Sequence, residues 1–188
     1  MVKNPKKNLD KPCQKCYNDD HAKEEGRAFH VVTPLIVANN YIKRSLEEKI
    51  DLTPLKLQKL LYFTYADYYH RSGEMLFSSR FEVWSKGPVL AEVYYYFKHL
   101  GDYGLIEEYA SVGKEYLLVN EGDKHFGASV RSVWEKYKDR DGDELSRITH
   151  EDLKAWSIAD VAERLVLDDE DIKRDGEMLF AETAAASK

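Results

Sequence analysis

Residues 53–72 read TPLKLQKLLYFTYADYYHRS and predict one long helix at the centre of the fold. Thr53 can accept a hydrogen bond from a free first-turn amide, Pro54 suits the first helical position, and Gly73 ends the run. On a 3.6-residue wheel the leucines and tyrosines cover about half of the circumference, which is wider than a surface helix needs. We therefore expect a helix over 54–72 that is packed on several sides.

Two residues of this helix interrupt its pattern. Gln58 projects into the middle of the apolar arc, so its amide must find hydrogen-bond partners or cost about 1 to 3 kcal/mol. It either bonds a tyrosine hydroxyl or loop backbone within the fold, or faces a ligand or partner. Phe63 lies on the opposite side with Lys56 and Lys59, where its ring stands in water unless another element or another protein covers it.

The composition is typical of one soluble globular domain. The chain has 188 residues, of which 43% are hydrophobic and 33% charged, enough for a core without metal or disulfide support. No apolar run approaches the ~20 residues of a membrane span, and the lysine-rich start is not a signal peptide, so we expect a cytoplasmic protein. The net charge of -6 disfavours nucleic-acid binding.

The chain divides into three parts by composition. Residues 1–30 carry lysines and two prolines without an apolar period, so we expect a mobile basic extension. The globular domain is expected over 31–166. Residues 167–188 are expected to form an acidic C-terminal helix and a frayed tail. The acidic charge between Asp160 and Glu182 either faces solvent or docks onto a basic partner.

A possible metal motif lies in the basic extension. Cys13, Cys16 and His21 have the spacing of the first three ligands of a zinc knuckle, because two thiolates and an imidazole so placed can converge on one ion. The fourth ligand is missing: Gly26 stands where a cysteine is expected, so His30, a water or a second chain would have to close the site. The alternative is an incidental pair of reduced cysteines. Zinc at this place is the one cofactor that the sequence suggests.

Hydrophobic periodicity predicts the other elements. Amphipathic helices are expected over 33–49 and 123–138, and Gly87–Pro88 is expected to open another helix. Polar and apolar residues alternate over 80–85, as in a strand with one buried face, and 115–119 is a short apolar stretch bounded by glycines. We expect these two strands to pair with each other.

The C-terminal part of the domain is predicted to be helical as well. Ser157, with Asp160 three residues later, indicates a capped helix that buries Ile158, Val161, Ala162 and Leu165. A last helix is expected after Asp168. The predicted fold is α+β and mostly α: a compact bundle of about five to seven helices around the central helix, with a small two- to three-stranded antiparallel sheet.

The sequence contains few signs of catalysis. There is no Gly-rich phosphate loop after a strand, no Gly-x-Ser-x-Gly elbow and no His-Glu-x-x-His pair. His150 is the best lone candidate for a general base, and a buried or capping histidine is the alternative. These observations favour a binding module over an enzyme.

Five short segments together match the order of a known family. They are LTPLKLQKLLYF over 52–63, FEVWSKGPV over 81–89, Val93–Tyr94, THE over 149–151, and Trp156. In this order they resemble the Panacea domain, the SocA-like antitoxin domain also described as a phage-associated GepA-type protein, over roughly residues 33–160. The residues that carry the motif are Thr53, Pro54, Gln58, Leu61, Tyr62, Trp84, Gly87, Pro88, His150 and Trp156. Where the family usually has a Gly-Ser-Pro-like turn before the tryptophan, this chain has Asp152–Ala155.

The resemblance implies a function. It implies an antitoxin, encoded beside a toxin in bacteria, phages or prophages, that neutralises the toxin by direct protein contact. One branch of the family is described as an adaptor that hands its toxin to the ClpXP protease. Neither the toxin nor the oligomeric state is indicated by the sequence.

Direct contact requires an exposed surface. The expected partner-binding residues are Lys56, Lys59, Phe63 and Tyr95, because rigid rings bury much area at little entropy cost. Two other functions stay open at this point. One is an adaptor that delivers a toxin or other client to a ClpXP-type protease. The other is a phage-encoded metal-dependent enzyme that uses Cys13, Cys16, His21 and His150.

Overall fold

Helices dominate the part of the chain that the computed structural model describes, which is Cys16–Tyr17 and residues 32–185. In chain order the elements are β1 (Cys16–Tyr17), α1 (Pro34–Glu48), α2 (Pro54–Ser72), β2 (Glu82–Trp84), β3 (Gly87–Val89), α3 (Ala91–Phe97), β4 (Leu118–Val119), α4 (Lys124–Tyr137), α5 (Gly142–Thr149), α6 (Ala155–Val161) and α7 (Asp169–Ala185). The predicted mostly helical α+β fold is confirmed. Within these residues no helix is both long and apolar enough to cross a bilayer.

The central helix α2 begins and ends where the sequence predicts. Thr53 Oγ1 accepts a hydrogen bond from the Lys56 amide at 3.2 Å, and Gly73 ends the helix with a φ of 74°. Residues 54–67 are buried because α2 contacts α1, α3, α4, α5, α7 and β3. The prediction of a helix packed on several sides is confirmed.

β2 and β3 form a tight antiparallel hairpin, with Trp84 opposite Gly87 and Val83 opposite Pro88. The prediction that Gly87–Pro88 opens a helix is wrong, since α3 begins only at Ala91. Gly87 has a φ of 99°, a left-handed value suited to glycine. Pro88 fits a strand position that donates no ladder hydrogen bond. The Gly-Pro pair therefore starts a strand.

Residues 165–167 run along the other edge of β2. Val166 stands opposite Glu82 in an antiparallel bridge. The hairpin thus gains a short third strand, which agrees with the predicted two- to three-stranded antiparallel sheet. This third strand forms the outer edge of the sheet.

β4 does not join the hairpin sheet. It pairs in parallel with β1, and Asn40 of α1 holds the Val119 backbone through two hydrogen bonds of 3.0 Å each. The prediction that 115–119 pairs with 80–85 is wrong. Both edges of β2 are already occupied, one by β3 and the other by the short third strand.

α6 begins earlier than predicted, and part of its predicted apolar stripe is exposed. The helix starts at Ala155, so Ser157 lies inside it and donates to backbone carbonyls of the preceding turn at 2.9 Å. Val161 and Leu165, predicted to be buried, are each 85% exposed. The reason is that α6 ends at Val161, and the chain then turns to the edge of the sheet.

α7 belongs to the same core as α2. An added Cβ at Gly176 of α7 would stand 2.1 Å from the Ala66 carbonyl oxygen of α2. Ile172 and Phe180 of α7 are buried within the core. The core therefore extends past the boundary predicted at residue 166.

Candidate interaction surface

A pair of hydrogen bonds ties the hairpin to the central helix. The buried Gln58 side chain donates to the Leu90 carbonyl at 3.1 Å and accepts from the Leu90 amide at 2.9 Å. These bonds satisfy the buried amide, which confirms the structural interpretation of Gln58. They also fix the residue that follows β3.

Lys59 makes a second connection between α2 and the hairpin. Its side chain is fully buried, and its amino nitrogen donates to the Pro88 carbonyl at 3.0 Å. A Cβ at Gly87 would stand 2.5 Å from Thr149 Oγ1 and 2.8 Å from Lys59 Nζ. Only glycine therefore lets the hairpin, α2 and α5 meet at this point. We call Gln58, Lys59, Gly87 and Thr149 the polar clamp.

Burial also changes the protonation of Lys59. Removal from water lowers the pKa of its side chain to about 7, and the charge of Asp102 opposes this shift only in part. In the unfolded chain the same group keeps its proton up to about pH 10.4. The folded state therefore binds fewer protons than the unfolded state over this interval, and the contribution of Lys59 to the free energy of unfolding rises with pH there.

This shift gives an expected pH dependence of stability. The free energy of unfolding should rise by roughly 1 to 2 kcal/mol between about pH 7.5 and pH 9, and Lys59→Met should remove most of that rise. Urea titrations followed by circular dichroism at both pH values measure the difference. The pKa of Lys56 is also lowered by burial, but Lys56 is present in both proteins, so its contribution cancels in the comparison. An identical pH dependence in the two proteins would show that Lys59 keeps its ordinary pKa.

The polar clamp positions a row of aromatic side chains at the surface. Trp156 of α6 donates its indole N–H to the Trp84 carbonyl at 3.0 Å. The rings of Trp84 and Tyr94 lie 4.7 Å apart between centroids, and those of Tyr94 and Tyr95 lie 5.4 Å apart. We call Trp156, Trp84, Tyr94 and Tyr95 the aromatic row. Tyr95 is 60% exposed and the other three are partly buried, so the row is both anchored and accessible.

His150 supports Trp156 from the end of α5. The two ring centroids are 3.8 Å apart in an edge-to-face arrangement. His150 Nδ1 lies 2.6 Å from the Ser146 carbonyl oxygen, so this nitrogen carries the proton and donates. The histidine thus adds a second hydrogen bond to a carbonyl in the last turn of α5 that also accepts from the Thr149 hydroxyl, which matches the capping interpretation.

Aliphatic side chains stand exposed in the segment that contains α6. Leu153 is 71% exposed and Val166 38%, and Val161 and Leu165 are exposed still further. These residues are four of the ten exposed large hydrophobic side chains among the described residues, although they fall within only 14 consecutive positions. We call them the aliphatic flank. Their concentration in the segment that carries Trp156 gives exposed apolar area of the kind that binds other proteins.

Leu153 is held in an unfavourable backbone conformation. Its φ of 66° lies in the left-handed region, which costs a residue with a Cβ roughly 1 to 2 kcal/mol. The residue belongs to Asp152–Ala155, where the family resemblance implies a Gly-Ser-Pro-like turn. A leucine that is both strained and exposed adds nothing to the stability of the core. Such outliers concentrate at functional sites, which supports a role in binding.

The family comparison agrees with these features. The model of the SocA-like antitoxin Panacea domain matches residues 57–157, which is more than half of the 188 residues. The chain belongs to this family. Comparison with curated proteins and with solved structures gives no match. The matched range contains the polar clamp and the aromatic row, whereas α7 and most of the aliphatic flank lie beyond it.

The Panacea domain does not expose three of the four predicted partner-binding residues. Phe63 is fully buried, with its ring stacked on Tyr137 of α4 at 4.6 Å. Lys56 and Lys59 are also buried, Lys56 donating to backbone carbonyls in the loops that precede α2 and follow α4. Their predicted exposure is wrong, because α4 and α5 cover this side of α2. Tyr95 is exposed, as predicted.

The predicted metal ligands lie outside the described residues. Cys13 and His21 are not described, and of Cys16 only the backbone in β1 is. Within the described part of the Panacea domain, no group of three or more metal-binding side chains comes together. The zinc-knuckle hypothesis for the basic extension stays a prediction.

Sequence reasoning missed the aliphatic flank. Helical periodicity assigned Val161 and Leu165 to the core, and no local signal in the sequence contradicted this. Leu153 was the one detectable clue, since a leucine replaces the small turn residues of the Panacea motif. A bulky residue at a turn position indicates either that the turn has a different conformation or that the side chain contacts a partner.

Proposed function

We propose that this Panacea domain is an antitoxin that neutralises a cognate protein toxin by direct contact through the aromatic row and the aliphatic flank. Membership of the SocA-like antitoxin family supports a role in a toxin–antitoxin pair. The observation that supports this surface is the concentration of exposed leucine, valine and aromatic side chains around α6. Apolar patches of this kind mark protein–protein contact sites.

The surface is suited to tight binding because it is already ordered. The Trp156 indole is fixed by its hydrogen bond to the Trp84 carbonyl, and the Trp84 indole by its bond to Glu82, so little side-chain entropy is lost when a partner covers them. Tyrosine and tryptophan rings are the residues most often found at the energetic centre of interfaces. The aliphatic flank adds apolar area that is released from water on contact.

Two substitutions test this proposal in co-expression with the product of the adjacent reading frame as the candidate toxin. Tyr95→Ala and Leu153→Gly should each weaken affinity at least ~10-fold and reduce rescue of growth. Leu153→Gly is the sharper variant, because glycine relieves the left-handed φ and keeps the domain at least as stable. Isothermal titration of the purified proteins measures the affinity.

A matched control separates loss of the surface from loss of the fold. Tyr116 is 54% exposed, and its ring lies beside Tyr109, outside the aromatic row, so Tyr116→Ala should leave rescue unchanged. The toxin level should stay constant during rescue, since occlusion does not require proteolysis. Full rescue by Tyr95→Ala and Leu153→Gly, or a harmless neighbouring gene product, would contradict the proposal.

A further inference from the structure

The third strand of the hairpin sheet presents an open backbone edge. Leu167 donates its N–H to the Phe81 carbonyl at 2.8 Å, and Val83 donates to the Leu165 carbonyl at 3.0 Å. Since these two bonds flank Val166 on the β2 side, the N–H and C=O of Val166 itself point away from β2. Neither group has a hydrogen-bond partner among the described residues.

The side chains along this edge are exposed as well. Leu165 and Val166 both lie at the surface, and strand alternation directs them to opposite faces of the sheet. On the face shared with Val166, Glu82 accepts a hydrogen bond from the Trp84 indole at 2.8 Å. The open edge is therefore continuous with the aromatic row. An exposed apolar strand edge of this kind is a template for pairing with another chain.

Most of the charges beside the edge are acidic, and the basic side chain of Arg80 donates to the Leu167 carbonyl at 3.1 Å. Glu163 and Asp168 flank the strand and are exposed. Asp160 lies one turn earlier, and its carbonyl accepts a hydrogen bond from the Glu163 amide at 3.0 Å. Arg164 is already engaged by Asp171 in an ion pair of 3.2 Å. A partner segment with a lysine or arginine would complement these carboxylates.

We propose that the edge at Val166 accepts a β-strand from the toxin, in the form of an extended segment with an aliphatic side chain opposite Val166 and a basic residue facing Glu163 or Asp168. This inference rests on the proposed function and specifies how the toxin binds. Two main-chain hydrogen bonds to Val166 give the segment its register, and the neighbouring exposed side chains give it specificity. The site lies outside the family match at 57–157.

Hydrogen exchange of single amides, measured by NMR on the full chain, tests the strand. In the free protein the Val166 amide should exchange at least ~10-fold faster than that of Leu167, which donates to Phe81 and serves as the internal control. Addition of the toxin encoded by the adjacent reading frame should slow Val166 exchange at least ~100-fold. Leu167 should change far less.

A pair of substitutions gives a second measurement. Val166→Pro removes the outward N–H without removing a hydrogen bond within the chain and should weaken toxin affinity at least ~10-fold. Val166→Ala keeps the N–H, removes only side-chain contact, and should have a smaller effect. Circular dichroism verifies that both variants are folded.

The outcomes separate this inference from the proposed function. A complex that forms while Val166 stays unprotected would overturn the strand and leave the antitoxin function intact. If no complex forms and growth is not rescued, the antitoxin function fails and the strand with it. Protection of Val166 in the free chain that increases with protein concentration would assign the edge to a second copy and would also overturn the inference.

Discussion

A chain that lacks residues 168–188 is expected to lose its cooperative fold. The deletion removes α7 and exposes the face of α2 that α7 covers. Burial of Ile172 and of Phe180 is worth about 1.5 to 3 kcal/mol each, and the α2 side chains that they cover lose a similar contact. A loss of at least about 5 kcal/mol is comparable to the whole stability of a domain of this size.

A polar contact raises this loss further. Asp175 of α7 is buried and accepts a hydrogen bond from the Tyr62 hydroxyl. It also accepts one from the Ala155 amide, whose nitrogen lies 3.2 and 3.3 Å from the two carboxylate oxygens. The Ala155 amide is the first of α6, whose own N-cap residue supplies no side-chain bond. Asp175 therefore caps α6 from another helix. Removal of α7 leaves both the buried tyrosine hydroxyl and the start of α6 without this partner.

Circular dichroism and urea unfolding of the truncated chain measure the effect. A chain truncated after Ala185, which keeps α7, serves as the control and should unfold like the full protein. A cooperative transition in the chain without α7, at a denaturant midpoint near that of the control, would show that the domain ends before α7.

Gly87→Ala is expected to have the second-largest effect, a loss of about 3 to 5 kcal/mol in the free energy of unfolding. One part of the loss comes from the φ of 99°, which a residue with a Cβ rarely adopts. The larger part comes from the polar clamp, because the methyl group would overlap Thr149 Oγ1 and Lys59 Nζ. Relief of the overlap would separate the hairpin from α2 and α5, and Trp84 would lose its position in the aromatic row.

A second glycine separates these two contributions. Gly113 has a φ of 69°, and a Cβ added there would meet nothing within 4 Å. Gly113→Ala should therefore cost only about 1 to 2 kcal/mol, the conformational part alone. Urea unfolding of both variants gives the comparison. Equal losses at the two positions would show that the polar clamp has room for a methyl group.

The sequence predicted α2 correctly because its signals are local. Thr53, Pro54 and Gly73 act within one helical turn, and the wide apolar arc requires neighbours on several sides whichever elements provide them. The start of α1 is marked in the same way by Thr33, whose hydroxyl accepts from the Ile36 amide. Caps and periodicity can therefore be read without knowledge of the fold.

Predictions failed where distant segments determine the outcome. Phe63 lies among lysines, so the sequence indicated a solvent-facing side of α2. In the fold, α4 covers the ring, and backbone carbonyls from distant segments satisfy the lysine nitrogens. Buried lysines are rare, and nothing in the sequence near Lys59 indicates that the Pro88 carbonyl reaches it.

The dipeptide Gly87–Pro88 shows a second kind of ambiguity. Proline is favoured at the first position of a helix and is also accepted at strand positions that do not donate to the ladder. The contact of Gly87 with Lys59 and Thr149 decides in favour of the strand, and it joins three segments distant in the sequence. The motif residues Gln58 and Gly87 thus belong to the polar clamp, and Trp84 and Trp156 to the aromatic row, whereas no motif marked the aliphatic flank.

Photo-crosslinking at position 95 tests the central claim of toxin contact most directly. Benzoylphenylalanine in place of Tyr95, in the complex with the product of the adjacent reading frame, should form a covalent adduct with the toxin on irradiation. The same group in place of Tyr116, at a comparably exposed site outside the aromatic row, should form none. Adduct formation at position 116 and not at position 95 would contradict the proposed surface.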